Sequence, residues 1–166
     1  IVLSRELDRR GVFPPIDVLP SLSRLMGAGI GAGTAPDHRR WSDQLYAVYA
    51  QGREARLTAA IVGESGLPPA DRRALAFTER FEKEFIDQGD TRRTIGETLE
   101  IGWTLLETLP REDLHRIPEE AWARRAGRGA AGAGSTLRIR RARGRRWRAR
   151  GHRAGSQSGG HHKRGD

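Results

Sequence analysis

Between positions 36 and 123 the apolar residues recur at helical spacing. Pro36-Asp37 opens the first stretch, with Asp37 as the expected cap, and Trp41, Leu45, Val48 and Tyr49 follow at i, i+4, i+7 and i+8. That stripe is expected to end at Gly52. A second short helix carries Leu57, Ala60 and Ile61 and stops at Gly63. A third starts after Pro68-Pro69-Ala70-Asp71, sets Phe77, Phe81 and Phe85 along one side and stops at Gly89. The fourth has the clearest start: Thr94-Ile95-Gly96-Glu97 fits a capping box, in which hydroxyl and carboxylate satisfy the first free amides reciprocally. Ile95, Leu99, Trp103 and Leu106 stripe it until Pro110, and a last helix covers about 111–123, interrupted near Pro118. Short loops between amphipathic helices predict an antiparallel helical bundle. Trp41, Leu45, Tyr49, Phe81, Phe85, Leu99, Trp103 and Leu106 are expected to share its core.

Ahead of the bundle, residues 1–35 read as irregular. Ile1-Val2-Leu3-Ser4 is expected as a short buried strand, Gly11-Val12-Phe13-Pro14-Pro15 as a turn, and Ile16-Asp17-Val18-Leu19 as a second apolar run stopped by Pro20. The chain starts at Ile1 rather than Met, directly on the apolar run, which suggests that an upstream portion exists.

Composition changes the picture at one place. Positions 1–123 hold 16 Arg and Lys against 20 Asp and Glu, whereas positions 124–166 hold 14 basic residues against Asp166 alone. The net charge of +9 therefore belongs entirely to the last segment, and the body offers no nucleic-acid signal. Residues 124–166 carry Leu137, Ile139 and Trp147 as their only large apolar side chains. Such a segment cannot bury enough surface to offset its ordering entropy and is expected to be a disordered Arg/Gly-rich tail. Its electrostatics are those of a nucleic-acid-binding arm. Its Arg, Gly and Ala content and abrupt start are also what GC-rich DNA yields in a shifted reading frame, and that reading is preferred. There is no run of about 18 apolar residues to span a membrane, no signal-peptide pattern, and no cysteine for disulfides or thiolate chemistry.

Few residues offer chemistry. Gly27-Ala28-Gly29-Ile30-Gly31-Ala32 matches G-x-G-x-x-G/A, but a dinucleotide site needs a strand before it and a helix starting inside it; a flexible link is the expected reading. Glu79, Glu82 and Glu84 have basic neighbours and are expected to form a solvated face. His38 and His115 stand alone, and His161-His162 lies in the tail. No Ser-His-Asp set is present to support catalysis by this chain alone.

One string is specific. Gly11-Val12-Phe13-Pro14-Pro15-Ile16-Asp17-Val18-Leu19-Pro20-Ser21-Leu22-Ser23-Arg24-Leu25-Met26, preceded by Ile1-Val2-Leu3-Ser4-Arg5-Glu6-Leu7, resembles the B subunit of V/A-type rotary ATPases. The resemblance continues through Asp43-Gln44-Leu45-Tyr46-Ala47-Val48-Tyr49-Ala50, Ala60-Ile61-Val62-Gly63-Glu64, Phe81-Glu82-Lys83-Glu84-Phe85-Ile86-Asp87-Gln88-Gly89 and Ile95-Gly96-Glu97-Thr98-Leu99, and spans about residues 1–123. It departs from the family at Gly27-Ala28, where a basic and an acidic residue are usual, and at the Arg-rich tail. Ser-x-Ser-Arg is shared with flagellar and secretion ATPases, which form the competing enzyme reading; a nucleic-acid-binding protein acting through the tail is the third.

The resemblance implies a mainly α chain, with residues 1–35 as the end of an α/β nucleotide-binding domain and 36–123 as a C-terminal helical bundle; composition adds 124–166 as the tail. It implies a non-catalytic regulatory subunit of a proton-translocating ATP synthase or ATPase. Its partners would be the catalytic A subunit, the central rotor stalk and the peripheral stalk, with the complex on the cytoplasmic side of the membrane and no span in this chain. ATP or ADP with Mg would lie at the A/B interface, held mostly by A and not by this chain alone. Arg24 would reach that nucleotide in trans as an arginine finger, with Ser23 beside it.

Overall fold

A computed structural model describes residues 1–24, 26–31 and 34–132 of the chain, and residues 1–132 form one compact unit. The elements are β1 (Val2–Leu3), α1 (Arg5–Arg9), β2 (Ile16–Asp17), α2 (Met26–Gly29), α3 (His38–Val62), α4 (Pro69–Arg80), α5 (Ile95–Leu106) and α6 (Glu119–Gly132). A π-helical turn, Phe81–Ile86, extends α4, and short 3-10 turns cover Glu64–Gly66 and Arg111–Asp113. The fold is mainly helical, as expected from the periodicity.

Gly52 and Gly63 were expected to end two separate helices; instead α3 is continuous through Gly52 for 25 residues and ends only at Gly63. The reason is packing. A Cβ added at Gly52 would stand 2.0 Å from Thr78 Oγ1 and 2.3 Å from the Ala74 carbonyl oxygen, so α3 and α4 meet backbone to backbone there. Gly63, with φ +77°, is a genuine stop, because a positive φ suits only glycine without strain. Gly102 repeats the device on α5, where a Cβ would lie 2.1 Å from Trp41 Cζ2.

The third and fourth helices begin where the sequence indicates. Pro69 occupies the first turn of α4, where a missing amide hydrogen costs nothing. Thr94 and Glu97 form the complete capping box on α5: Glu97 N–H donates to Thr94 Oγ1 at 3.2 Å and Thr94 N–H donates to Glu97 Oε2 at 2.8 Å. Asp37 stands at the N-cap position of α3 but makes no side-chain cap hydrogen bond. Its carboxylate is buried and accepts from Arg124 Nε at 2.9 Å.

All eight residues expected in the core share one cluster, with Phe85 and Leu99 partly buried at its edge. Phe77, Phe81 and Phe85 stack in sequence, with centroids 5.8 and 4.7 Å apart. Ile95, at the start of its stripe, is exposed instead. The last helix runs beyond the expected limit near 123, and Arg124 and Arg125 anchor it: Arg125 pairs with Glu107 at 2.8 Å and with Glu100.

Candidate functional site

The segment leading to Ser23-Arg24 is built from the chain's first residues. β1 and β2 pair antiparallel, Val2 opposite Asp17 and Leu3 opposite Ile16. Contrary to expectation β1 is exposed, with Leu3 67% accessible, because two residues of ribbon present an outer face that no helix covers. Between the strands, Ser4 caps α1 by accepting from Leu7 N–H at 3.3 Å, and Leu7 is buried. Periodicity does not reveal this helix, because five residues are too few to show it, although Ser4 followed by acidic Glu6 is a usable start signal.

The segment is tied to the bundle at intervals. Phe13 N–H donates to Asp87 Oδ1 at 3.2 Å, and the Phe13 carbonyl accepts from Gln88 and Gly89 N–H at 2.7 and 3.0 Å. Arg53 contacts Asp17 at 3.4 Å, and Tyr46 hydroxyl donates to the Leu19 carbonyl at 2.6 Å. Ser21 hydroxyl donates to the Asp17 carbonyl at 2.6 Å and accepts from Val2 N–H at 2.9 Å. Beyond this last anchor Leu22, Ser23 and Arg24 are exposed, and Arg24 sits in a turn ahead of α2. Among the described residues neither Ser23 nor Arg24 makes a hydrogen bond or an ion pair.

Glu82, expected on a solvated face, is instead 1% exposed. It accepts from Arg56 Nη1 and Nη2 at 2.9 Å each, from Tyr49 hydroxyl at 3.2 Å, and from Arg10. Burial alone would raise its pKa; the hydrogen bonds and charges of Arg56 and Arg10 outweigh it and hold the carboxyl below its ordinary value. Burial also raises the Tyr49 phenol above its usual range. No sequence signal separates Glu82 from its neighbours, since its inward placement depends on the turn it occupies. Glu79 and Glu84 are exposed, as expected, and Glu84 pairs with Arg80 one turn away.

The remaining candidates do not assemble. Half-buried His38 packs against the Trp41 ring at 5.5 Å, with its pKa lowered by burial, and His115 is exposed. Among the described residues no three His, Asp or Glu side chains converge as metal ligands. The Gly27–Gly31 run holds one helical turn, α2, with no strand leading into it, and so lacks the strand-to-helix placement of a dinucleotide site. A cavity of about 270 Å³ is lined by Leu109, Trp122, Ala126, Glu107, Arg111 and Arg125, but Arg111 stacks on Trp122 at 3.6 Å and Arg125 is already paired. His161-His162 and the basic run 137–147 lie outside the described residues. Among the described residues no helix is long and apolar enough to cross a membrane.

The helical bundle has close counterparts in other proteins. Residues 28–125 match the family described as the C-terminal domain of V and A type ATP synthase. The V-type ATP synthase beta chain of Anaeromyxobacter dehalogenans (strain 2CP-1) is 60% identical over 134 residues, which is 80% of this chain and 28% of that one. The B subunit of the A-type ATP synthase of Methanopyrus kandleri is 56% identical over 122 residues, 72% of this chain and 12% of that one. Among solved structures, the ATP synthase subunit NeqB from Nanoarcheaum equitans matches at 42% identity with a TM-score of 0.60, over 66% of this chain and 29% of that one. The chain thus spans under a third of the length of each of these relatives.

Proposed function

The chain belongs to the V- and A-type ATP synthase family, among its B (beta) chains, and from that premise we propose that it serves as the non-catalytic partner that lends Arg24 to a nucleotide site on the neighbouring A subunit. The observation that carries this reading is the state of Arg24: an exposed guanidinium in the Ser-Leu-Ser-Arg-Leu-Met string, with no partner among the described residues. The residues present fit a donor to a nucleotide held elsewhere. The string lacks the Gly-Lys-Ser/Thr of a phosphate loop, and Ser23 and Arg24 project beyond the last anchor at Ser21.

Phosphoryl transfer spreads charge over the transferred group, and a planar, permanently charged guanidinium answers it with two oriented donors. Such an arginine supplied in trans is worth about 10³–10⁵ in rate, or roughly 4–7 kcal/mol of barrier. Within this proposal the A subunit holds Mg and nucleotide, the helical bundle faces the rotor stalk, the peripheral stalk completes the complex, and ATP turnover is coupled to ion movement. The complex is peripheral on the cytoplasmic side, reaching the membrane through other subunits.

The test uses the full-length chain assembled with its A subunit. Arg24→Lys should preserve assembly and lose most ATP turnover, because lysine keeps the charge but not the two-pronged geometry. Arg24→Ala should lose at least as much, with a smaller fall in nucleotide affinity, since the arginine acts on transition-state charge. Near-normal turnover by Arg24→Ala in a fully assembled complex refutes the reading.

A further inference from the structure

We propose that Glu82 is a positioning residue for Arg24: through Arg10, its buried carboxylate clamps residues 10–21 onto the helical bundle and thereby fixes where Arg24 is presented. This rests on the reading of Arg24 above and goes beyond it by naming what holds that arginine in place.

A carboxylate withdrawn from water remains ionised only where charged donors replace its hydration. Within the bundle that need is already met. Arg56 binds Glu82 bidentately and Tyr49 adds a third hydrogen bond, and both donors lie on α3. Arg10 is a second guanidinium on the same carboxylate, and it comes from the end of α1. The bundle's charge balance does not require it; its contribution is to bring the N-terminal segment to the core.

The surrounding contacts share this direction. Glu82 sits in the π-helical turn, a rare geometry associated with functional positions. Residues just after that turn, Asp87, Gln88 and Gly89, grip Phe13 on both its N–H and its carbonyl. The same α3 that supplies Arg56 and Tyr49 also holds Asp17 through Arg53 and the Leu19 carbonyl through Tyr46. Segment 10–21 is therefore fastened at Arg10, Phe13, Asp17 and Leu19 to α3, the π turn and the residues that follow that turn. Arg24 lies three residues past Ser21, a tether of about 10 Å at full extension. Loss of an anchor upstream is thus felt at the guanidinium, and misplacements of about 1 Å are enough to slow a positioned reaction markedly.

The experiment uses the full-length chain assembled with its A subunit and ATP as the probe. Arg10→Met is the cleaner variant, because it removes the clamp and leaves Glu82 paired with Arg56 and Tyr49; Glu82→Gln should act in the same direction. In Arg10→Met the amides of Val12 and Ser21 should exchange about 10-fold faster, with α3 and α5 unchanged. Turnover at saturating ATP should fall about 5-fold with KM held within about 2-fold, and Arg10→Lys should recover at least half of it. In an Arg24→Ala background, Arg10→Met should add no loss beyond about 2-fold, because both act through one group. Unchanged exchange at Val12 and Ser21 in Arg10→Met, or losses that multiply in the double variant, overturn the clamp while leaving the Arg24 reading intact. Normal turnover by Arg24→Ala overturns that reading, and the positioning role with it.

Discussion

Replacing Gly52 with alanine sets two effects of opposite sign against each other. Alanine is the better helix former by about 1 kcal/mol in a helix interior, and Gly52 lies near the middle of α3. Against that stands the crossing with α4. The new Cβ would lie 2.0 Å from Thr78 Oγ1, on a fully buried β-branched side chain, and 2.3 Å from the Ala74 carbonyl oxygen, which belongs to the backbone and cannot swing aside. Real Cβ contacts essentially never fall below 3.0 Å, so the helices must part by about 0.7 Å at this point. A gap of that size forfeits about a quarter to a half of the dispersion energy of each atom pair across the crossing. Measured overpacking costs about 1–3 kcal/mol, and a backbone obstacle puts this case at the upper end. The net expectation is a destabilisation of about 2 kcal/mol, or roughly 4–10 °C in Tm for a unit of this size. Urea and thermal unfolding, followed by fluorescence of the buried Trp41, Trp103 and Trp122, measure it. Gly96→Ala is the control: it is helical, exposed and meets only Thr94 Oγ1 at 4.0 Å, so it should stabilise by about 0.5–1 kcal/mol. A Gly52→Ala protein that melts at or above the parent would show that the glycine is there for its conformation and not for the crossing.

Three further outcomes follow from the same contacts. Thr94→Ala removes one half of the capping box and should cost about 1 kcal/mol in unfolding free energy by urea titration; a loss below about 0.3 kcal/mol would contradict the assigned role. Trp103→Ala empties a 3%-exposed core position edge-on to Trp122 at 5.2 Å and should cost about 3–5 kcal/mol, read as loss of the cooperative melt at ordinary temperature. The third outcome concerns pH: the carboxyls of Glu82 and Asp113 are both held below their ordinary values, Asp113 chiefly by its hydrogen bonds from Arg73. A depressed carboxyl binds its proton less readily folded than unfolded, so its stabilisation is complete above the ordinary carboxylate value, 4.5 for Glu82, and is lost as pH falls through the folded value. The urea midpoint should therefore drop on acidification below about pH 4.5, and Glu82→Gln should flatten that slope.

Where a structural cause is local, it was legible along the chain. The capping box at Thr94, the proline start of α4, the stop at Gly63 and the Phe77, Phe81, Phe85 stripe each depend on residues within one or two helical turns. The string from Gly11 to Met26 likewise points to the B-chain family, because a motif is by nature a run of neighbours. What depends on residues far apart could not be read that way. Gly52 reads as a helix stop until α4 is laid across it, since Ala74 and Thr78, 22 and 26 positions on, explain why a side chain is excluded. Glu82 is indistinguishable from Glu79 and Glu84 in sequence, and is held as a buried ion by Arg56, with Arg10 added from the N-terminal segment, both on other elements. Asp37 has the position of a cap but gives its carboxylate to Arg124, 87 residues away. Burial and charge pairing are properties of surfaces brought together by folding, and periodicity along one strand of sequence records only the half of each contact that lies on that strand.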